Sequence, residues 1–470
     1  MIAEAPHEIR AIFAEQRRRY RSNPNPSRRE RIAQLDGLHK AIVRHRQALY
    51  IAMGRDFGKA EAEVELGEIN VTLGELKFAR KNLARWMRPK SVATPLPLFG
   101  AKSQVRCEPK GVVLILAPWN YPVYLTLAPL VAAIAAGNRA VVRFSEKAPH
   151  TGAVLQSIVA EAFSPGDVIM VGGEVELAEE LLKLPFDHIF FTGSTKVGKH
   201  VMRAAAEHLS GVTLELGGKS PAIVTADADI ASAGQRIAWG KFINAGQTCV
   251  APDYVLVERS TAPALVEALK ASTLRMYGKT EEDRKASPDY ARVIDDAAFK
   301  RLSTVLDESV RAGATVTIGG GRDAASRFIA PTILENVTLD SPIMHEEIFG
   351  PILPIVTFTS LDDALEDVRA HDKPLALYIF SRSRKTVETI LRRTTAGGTG
   401  INDVAIHLAN VNLPFGGVGP SGLGNYHGHA GFRTFSHERA VMTRTLLTPM
   451  LYPPYTKQTK RTLALLDRFF

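Results

Sequence analysis

Residues 111–146 read GVVLILAPWNYPVYLTLAPLVAAIAAGNRAVVRFSE, and the order of elements in this stretch decides the fold. GVVLIL is a short apolar run closed by AP. LAPLVAAIAAG is a buried helical segment ended by glycine, and AVVRFSE is a second apolar run. Short continuous apolar strands alternating with helices predict a parallel sheet covered on both faces, which is a doubly wound α/β domain. The pattern continues through GAVLQSIVAEAF, DVIMVGG, AEELLKL and HIFFTGS, up to residue 194. Sheets of this kind take ligands at the carboxyl ends of their strands, so the turns after these runs become the places to search.

Outward from this block, a second α/β unit begins near VTLELGGKSPAIVTADADI. It runs through the helix ASAGQRIAWGKFINAG, the strand DYVLVE, the helix APALVEALKAST and the strand ALYIFS to the glycine-rich LPFGGVGPSGLGNYHG. Upstream, Ser27-Arg-Arg-Glu30 is a capping box that starts an amphipathic helix on Ile32, Leu35, Leu38, Ile42 and Leu49. A further helical zone, EAEVELGEINVTLGELKFARKNLARWM, is broken by RPKSVATPLPLFGAKSQ.

The chain has 470 residues, 45% hydrophobic and 23% charged, which fits a multi-domain globular protein. Its net charge of +9 is dispersed and mixed with acids, which argues against nucleic acid as a partner. Neither of the two cysteines, Cys107 and Cys249, has a partner at metal-ligand or disulfide-framework spacing. No metal and a reducing, cytoplasmic setting are therefore expected. The N-terminal MIAEAPHEIRAIFAEQRRRYR lacks a signal-peptide core, and LTLAPLVAAIAAG is too short to span a bilayer.

Four features carry chemistry. FFTGSTKVGKH puts Gly193 and Gly198 between a strand and a helix, where backbone amides can meet a phosphate or glycines can simply cap the turn. Cys249, in NAGQTCVAPDY, reads either as a packing thiol or as a nucleophile that needs a base. Glu215, the one charge in VTLELGG, is either that base, its pKa raised by burial, or an edge carboxylate facing water. Asn120, in APWNYP, is either an oxyanion donor or a turn asparagine.

Taken together, PWNYP, FTGSTKVGK, LELGGKSP, GQTC, EEIFGP and PFGGVGPSG occur in the order found in the aldehyde dehydrogenase superfamily, and the resemblance runs nearly end to end. GQTCVAPDY, HEEIFGPILPIV, GNYHGHAGFRTFSH and LYPPY most resemble its class 3 and fatty aldehyde branch. The resemblance implies an α/β chain with a Rossmann-type cofactor domain over 1–86 and 109–211. A catalytic domain over 212–418, a β oligomerisation arm over 87–108 and 419–445 and a tail over 446–470 complete it, and the protein would be a homodimer. It implies Cys249 as nucleophile, Asn120 with the Cys249 amide as oxyanion site, and Glu215 as the base for hydrolysis of a thioester. NAD or NADP would be held by Trp119, Arg143, Glu146, Gly193, Ser194, Gly198, Leu216, Glu347 and Phe349.

Where the family usually has Lys-Pro-Ser-Glu, this chain has Arg143-Phe144-Ser-Glu146. Arginine suits a phosphate and Glu146 a 2′-hydroxyl, so NAD use with appreciable NADP acceptance is expected. The substrate would be an aromatic or medium-to-long aliphatic aldehyde, in a tunnel expected to include Tyr121, Tyr124 and His407. Glu215 argues against the rival coenzyme A-acylating or phosphate-dependent chemistry. Retention of Cys249, Glu215 and Asn120 argues against a catalytically silent binding protein. The tail RTLALLDRFF groups Leu463, Leu465, Leu466, Phe469 and Phe470 beside Lys457, Lys460 and Arg461. Three readings stay open for it: docking on the partner subunit, a tunnel gate, or peripheral membrane contact.

Overall fold

A computed structural model describes residues 6–444 and 453–466. Residues 111–215 supply five strands, and Gly422–Leu423 the sixth, of a sheet in the order Val168–Val171, Arg139–Arg143, Val112–Leu116, His188–Thr192, Gly211–Glu215 and Gly422–Leu423. All neighbours are parallel except Gly422–Leu423, which closes one edge antiparallel. Val112–Leu116 shows why its apolar run is continuous. Val113 and Ile115 pack with the buried helix Tyr124–Ala136 and the long helix Arg28–Phe57, while Val112, Leu114 and Leu116 face a second core with Ile9, Phe13 and Leu181. With both faces covered, alternation vanishes from the sequence.

The capping box forms as read: Glu30 N donates to Ser27 Oγ and Ser27 N to Glu30 Oε2, opening the helix Arg28–Phe57. The next helical zone differs in detail from its sequence reading. Between Glu61–Val64 and Asn70–Trp86 lies a π-helical turn, Glu65–Ile69, whose wider winding turns Glu68 into the interior.

A seven-stranded sheet follows, ordered Thr315–Ile318, Thr332–Glu335, Ile352–Phe358, Tyr254–Glu258, Pro221–Val224, Ala376–Phe380 and Gly398–Ile401. Thr315–Ile318 is its one antiparallel member. The strand Gly211–Glu215 pairs in the first sheet, so the expected start of the second unit at residue 212 falls inside a strand. The chain leaves the first sheet after Glu215 and enters the second at Pro221.

A separate three-stranded sheet joins Lys90–Val92, Lys102–Pro109 and Ser436–Thr443, with Val92 and Met442 exposed. In the tail, Lys457–Leu466 is helical and Leu463 is exposed. Phe469, Phe470 and the side chains of Leu465 and Leu466 lie outside the described residues. No described helix is long and apolar enough to cross a membrane.

Candidate active site

The carboxyl ends of the first sheet's strands gather most of the expected residues. Trp119 and Asn120 follow Val112–Leu116, Arg143 ends Arg139–Arg143, Gly193 and Ser194 follow His188–Thr192, and Glu215 ends its own strand. The polypeptide diverges on both sides of Val112–Leu116, which leaves the crevice that such sheets use for ligands.

Cys249 arrives on an unusual backbone. After the helix Ile230–Phe242, Asn244, Ala245 and Gly246 all take left-handed conformations, with φ of 54°, 51° and 73°. For non-glycine residues this costs about 1 kcal/mol or more each, so the surroundings must enforce it. They do so through hydrogen bonds. Asn244 N donates to Glu63 Oε2 (3.2 Å), and Asn244 Nδ2 donates to Asn120 O (2.9 Å) and Gln247 O (3.1 Å). Gln247 Nε2 donates to Asn244 O (3.0 Å) and Arg292 O (2.9 Å), while its Oε1 accepts from Ile294 N (2.9 Å). A Cβ on Gly246 would lie 2.2 Å from Gly350 O, so glycine is required there for close approach as well as for φ.

Asn120 is buried and faces the same loop, its Nδ2 donating to Gln247 O at 3.1 Å. An amide nitrogen carries two hydrogens, so one is left for a further acceptor. Cys249 lines a cavity of about 590 Å³ with Thr248, Tyr121, Tyr124, Trp239 and His427. Tyr121 and Tyr124, expected in the substrate tunnel, line this cavity. His407 does not line the cavity among the described residues; its ring packs toward Tyr378, and His427 holds the cavity position instead, bonded to the Tyr124 hydroxyl at 2.8 Å.

Burial pushes the Cys249 thiol up to about 12, with the nearby carboxyls of Glu347 and Glu215 adding to the effect. Glu215 is buried with no hydrogen-bond partner on either carboxylate oxygen, and burial raises its pKa well above the usual carboxylate range. Glu347 is raised to about 8 by burial and then by Asp253. A Cβ on Gly217 would lie 2.0 Å from Glu347 Oε2, so this glycine lets the carboxylate of a distant loop meet the turn after Glu215.

The remaining expected residues divide. Phe349, at φ 45°, meets Trp119 edge-on with centroids 5.6 Å apart. Gly193 has its N–H taken by Glu215 O at 3.0 Å, and its missing Cβ makes room for the Phe191 ring. Ser194 is exposed and caps the helix Thr195–Ala206, accepting from Val197 N; Gly198 packs against Leu216. Arg143 is buried and bonded to Glu146 Oε2 at 2.7 Å and Gly173 O at 2.8 Å. Phe144 lies beneath the strand ends, where Cβ atoms on Gly152 and Gly172 would strike its ring. The strand-end crevice, the Gly217–Glu347 approach and the unpartnered Glu215 carboxylate fit a nicotinamide dinucleotide.

Residues 3–441 match the model of the aldehyde dehydrogenase family, and the chain belongs to that family. It is an enzyme of NAD(P)-dependent aldehyde oxidation. It is 45% identical to the 4,4'-diaponeurosporen-aldehyde dehydrogenase of Staphylococcus aureus, covering 90% of this chain and 91% of that one. It is 43% identical to the dimeric NADP-preferring aldehyde dehydrogenase of Rattus norvegicus, covering 93% and 96%. The solved substrate-bound structure of Staphylococcus aureus AldH superposes with a TM-score of 0.93 at 42% identity, covering 97% of this chain and 99% of that one.

Sequence reading missed Lys59, Glu68 and Asn244, which support the site from behind, and Glu63, which lines the cavity and accepts from Asn244 N. Only Asn244 had a signal, its place in the polar stretch NAGQTC that leads to the cysteine.

Proposed function

We propose that this enzyme oxidises an apolar, uncharged aldehyde to its carboxylic acid through covalent bonding to Cys249. The observation that carries the reading is a free thiol in the wall of an apolar cavity, under the electrostatic influence of the buried, unpartnered Glu215. A thiol held near 12 is almost wholly protonated at neutral pH, so attack requires a base, and Glu215 serves as that base. As sulfur bonds to the carbonyl carbon, the oxygen becomes an oxyanion. It accepts the second hydrogen of Asn120 Nδ2 and the Cys249 N–H, and one such donor contributes about 3 to 4 kcal/mol.

NAD or NADP, when bound, accepts the hydride that leaves the carbon, and the bond to Cys249 becomes a thioester. After passing the thiol's proton to solvent, Glu215 takes a proton from water, whose oxygen bonds to the acyl carbon; the carbon–sulfur bond breaks and that proton returns to the Cys249 sulfur, restoring the thiol. Trp119, Phe349, Glu347 and Leu216 would border the nicotinamide, and Gly193, Ser194 and Gly198 would form the turn at the pyrophosphate. Arg143 and Glu146 would meet the adenosine ribose. Because Arg143 pairs with Glu146, the carboxylate repels a 2′-phosphate less, which supports NAD use with appreciable NADP acceptance. Similar catalytic efficiencies support this; a thousandfold NAD preference would exclude it.

Leu66, Val71, Leu125, Ile243 and Leu408 make the cavity suited to aromatic or medium-to-long aliphatic aldehydes, while Glu63 and Asp289 disfavour anionic ones. The exposed three-stranded sheet supports a homodimer joined through the expected arm, and two free cysteines support a cytoplasmic setting. The test is NAD(P)H formation from benzaldehyde, hexanal and decanal without coenzyme A or phosphate. The intact enzyme should turn over and Cys249→Ala should not; turnover by the variant would end the covalent reading.

A further inference from the structure

The π-helical turn Glu65–Ile69 aims Glu68 at the back of the loop that carries Asn120. Glu68 Oε2 accepts from Val123 N at 2.9 Å and Tyr124 N at 3.0 Å, while its Oε1 meets Lys59 Nζ at 2.7 Å, both side chains being fully buried. Lys59 lies between the C-capping Gly58 of Arg28–Phe57 and the helix Glu61–Val64, and its remaining donors go forward. Nζ lies 3.5 Å from Asn120 O and 3.7 Å from the centroid of the Tyr121 ring. Asn120 O also accepts from Asn244 Nδ2 of the Cys249 loop. The Asn120 backbone is thus gripped from one side by a buried ion pair and from the other by the loop that presents the thiol.

A buried lysine and glutamate are a poor device for stability, since a well-packed apolar pair of like volume usually does as well or better. Directional bonds to Asn120 O, Val123 N and Tyr124 N are what an apolar pair would lack. We infer that Lys59 and Glu68 are positioning residues that fix the oxyanion-binding amide of Asn120 against the Cys249 loop. The inference rests on the role proposed above for Asn120. It concerns the carbon–sulfur bond-forming and hydride-releasing steps and leaves ground-state binding of aldehyde and cofactor alone.

Lys59→Met by itself strands a buried carboxylate and can prevent folding. The test therefore uses Lys59→Met with Glu68→Gln, which keeps an oxygen for Val123 N and Tyr124 N and buries no charge. Single-turnover NAD(P)H formation, the aldehyde KM and cofactor affinity are measured in this enzyme, in Asn120→Ala and in the triple variant. The expected result is a single-turnover rate lower by about tenfold to a hundredfold, with KM and cofactor affinity within about threefold. In the Asn120→Ala background the same two changes should cost nothing more. A paired variant with an unaltered single-turnover rate, or one whose loss is undiminished in that background, would overturn the inference while Asn120→Ala still shows its own loss. An Asn120→Ala enzyme with an unaltered rate would overturn the oxyanion reading and this inference together. A paired variant that fails to fold would make the two residues structural and overturn it as well.

Discussion

The ionisation of Cys249 can be tested in the enzyme without cofactor, because its thiol is held at about 12 chiefly by burial. An ordinary thiol of pKa about 8.5 is roughly a quarter thiolate at pH 8; one of about 12 is thiolate in about one molecule in ten thousand, a deficit of about 2,500-fold. The more basic thiolate is intrinsically more reactive. With a Brønsted slope of about 0.45, the difference of about 3.5 units returns roughly 40-fold. Alkylation by iodoacetamide at pH 8 is therefore expected to run about 60-fold slower than at an unperturbed thiol.

Limited access to the cavity also slows the reagent, but by the same factor at every pH, so the slope is what isolates ionisation. The rate at the peptide carrying Cys249, followed by mass spectrometry in a Cys107→Ser protein, should climb about tenfold per pH unit from pH 7 to 10. Glu347→Gln should leave the profile unchanged below pH 8, where Glu347 is protonated, and raise the rate above it, where the carboxylate repels the thiolate. A rate that levels off above about pH 9 in the unmodified enzyme would refute the reasoning, because the thiol would then be ionising as if in water.

Glu215→Gln should slow the first burst of NAD(P)H and lower steady turnover by about 10² to 10⁴; a burst at the wild-type rate would remove Glu215 as the base for the thiol, and unchanged steady turnover would remove it from water activation. Gly246→Ala should lower Tm and abolish the burst, since a Cβ there meets Gly350 O at 2.2 Å; wild-type burst and melting would show that the turn tolerates a side chain. Glu75 is buried, and burial lifts its carboxyl to about 7, so its folded-state pKa lies above its unfolded value. As pH rises from about 4 through 7 the folded state loses stability, because Glu75 must keep its proton or ionise in the interior while the unfolded chain ionises freely, and Glu75→Gln should be about 3 to 4 kcal/mol more stable than the parent at pH 8 with no gain at pH 4. Denaturant melts at the two pH values decide it, and a gain confined to pH 4 would reverse the sign of the argument.

Much of this protein was legible before any coordinates. The runs GVVLIL, AVVRF and HIFFT could only be strands of a sheet covered on both faces, because each alternate residue needed an apolar neighbour on its own side. The turns after GVVLIL and HIFFT gave Asn120 and Gly193, since a parallel sheet brings its carboxyl ends to one edge whatever the strand order, and Glu215 stood out as the one charge in VTLELGG. Cys249 was singled out by its polar, glycine-bearing surroundings. The strand Ile352–Phe358 was visible only as a motif, because its proline masks a run that hydrogen-bonds well on both sides.

What only the tertiary structure decided is how distant side chains meet. Glu68 lies in a helical zone and Lys59 just ahead of it, and no local pattern marks either as buried. The π-helical turn and the approach of the Asn120 loop make them a buried pair instead. Gly217 and Glu347 come from different parts of the chain, and no local pattern marks their contact. His427 rather than His407 faces the cavity because the direction of a histidine ring depends on the packing around it, which periodicity and spacing do not encode. Sequence by itself determined the fold class and singled out the candidate groups, through local physics of burial and turn geometry; the shape of the cavity and the supports behind it came from long-range packing.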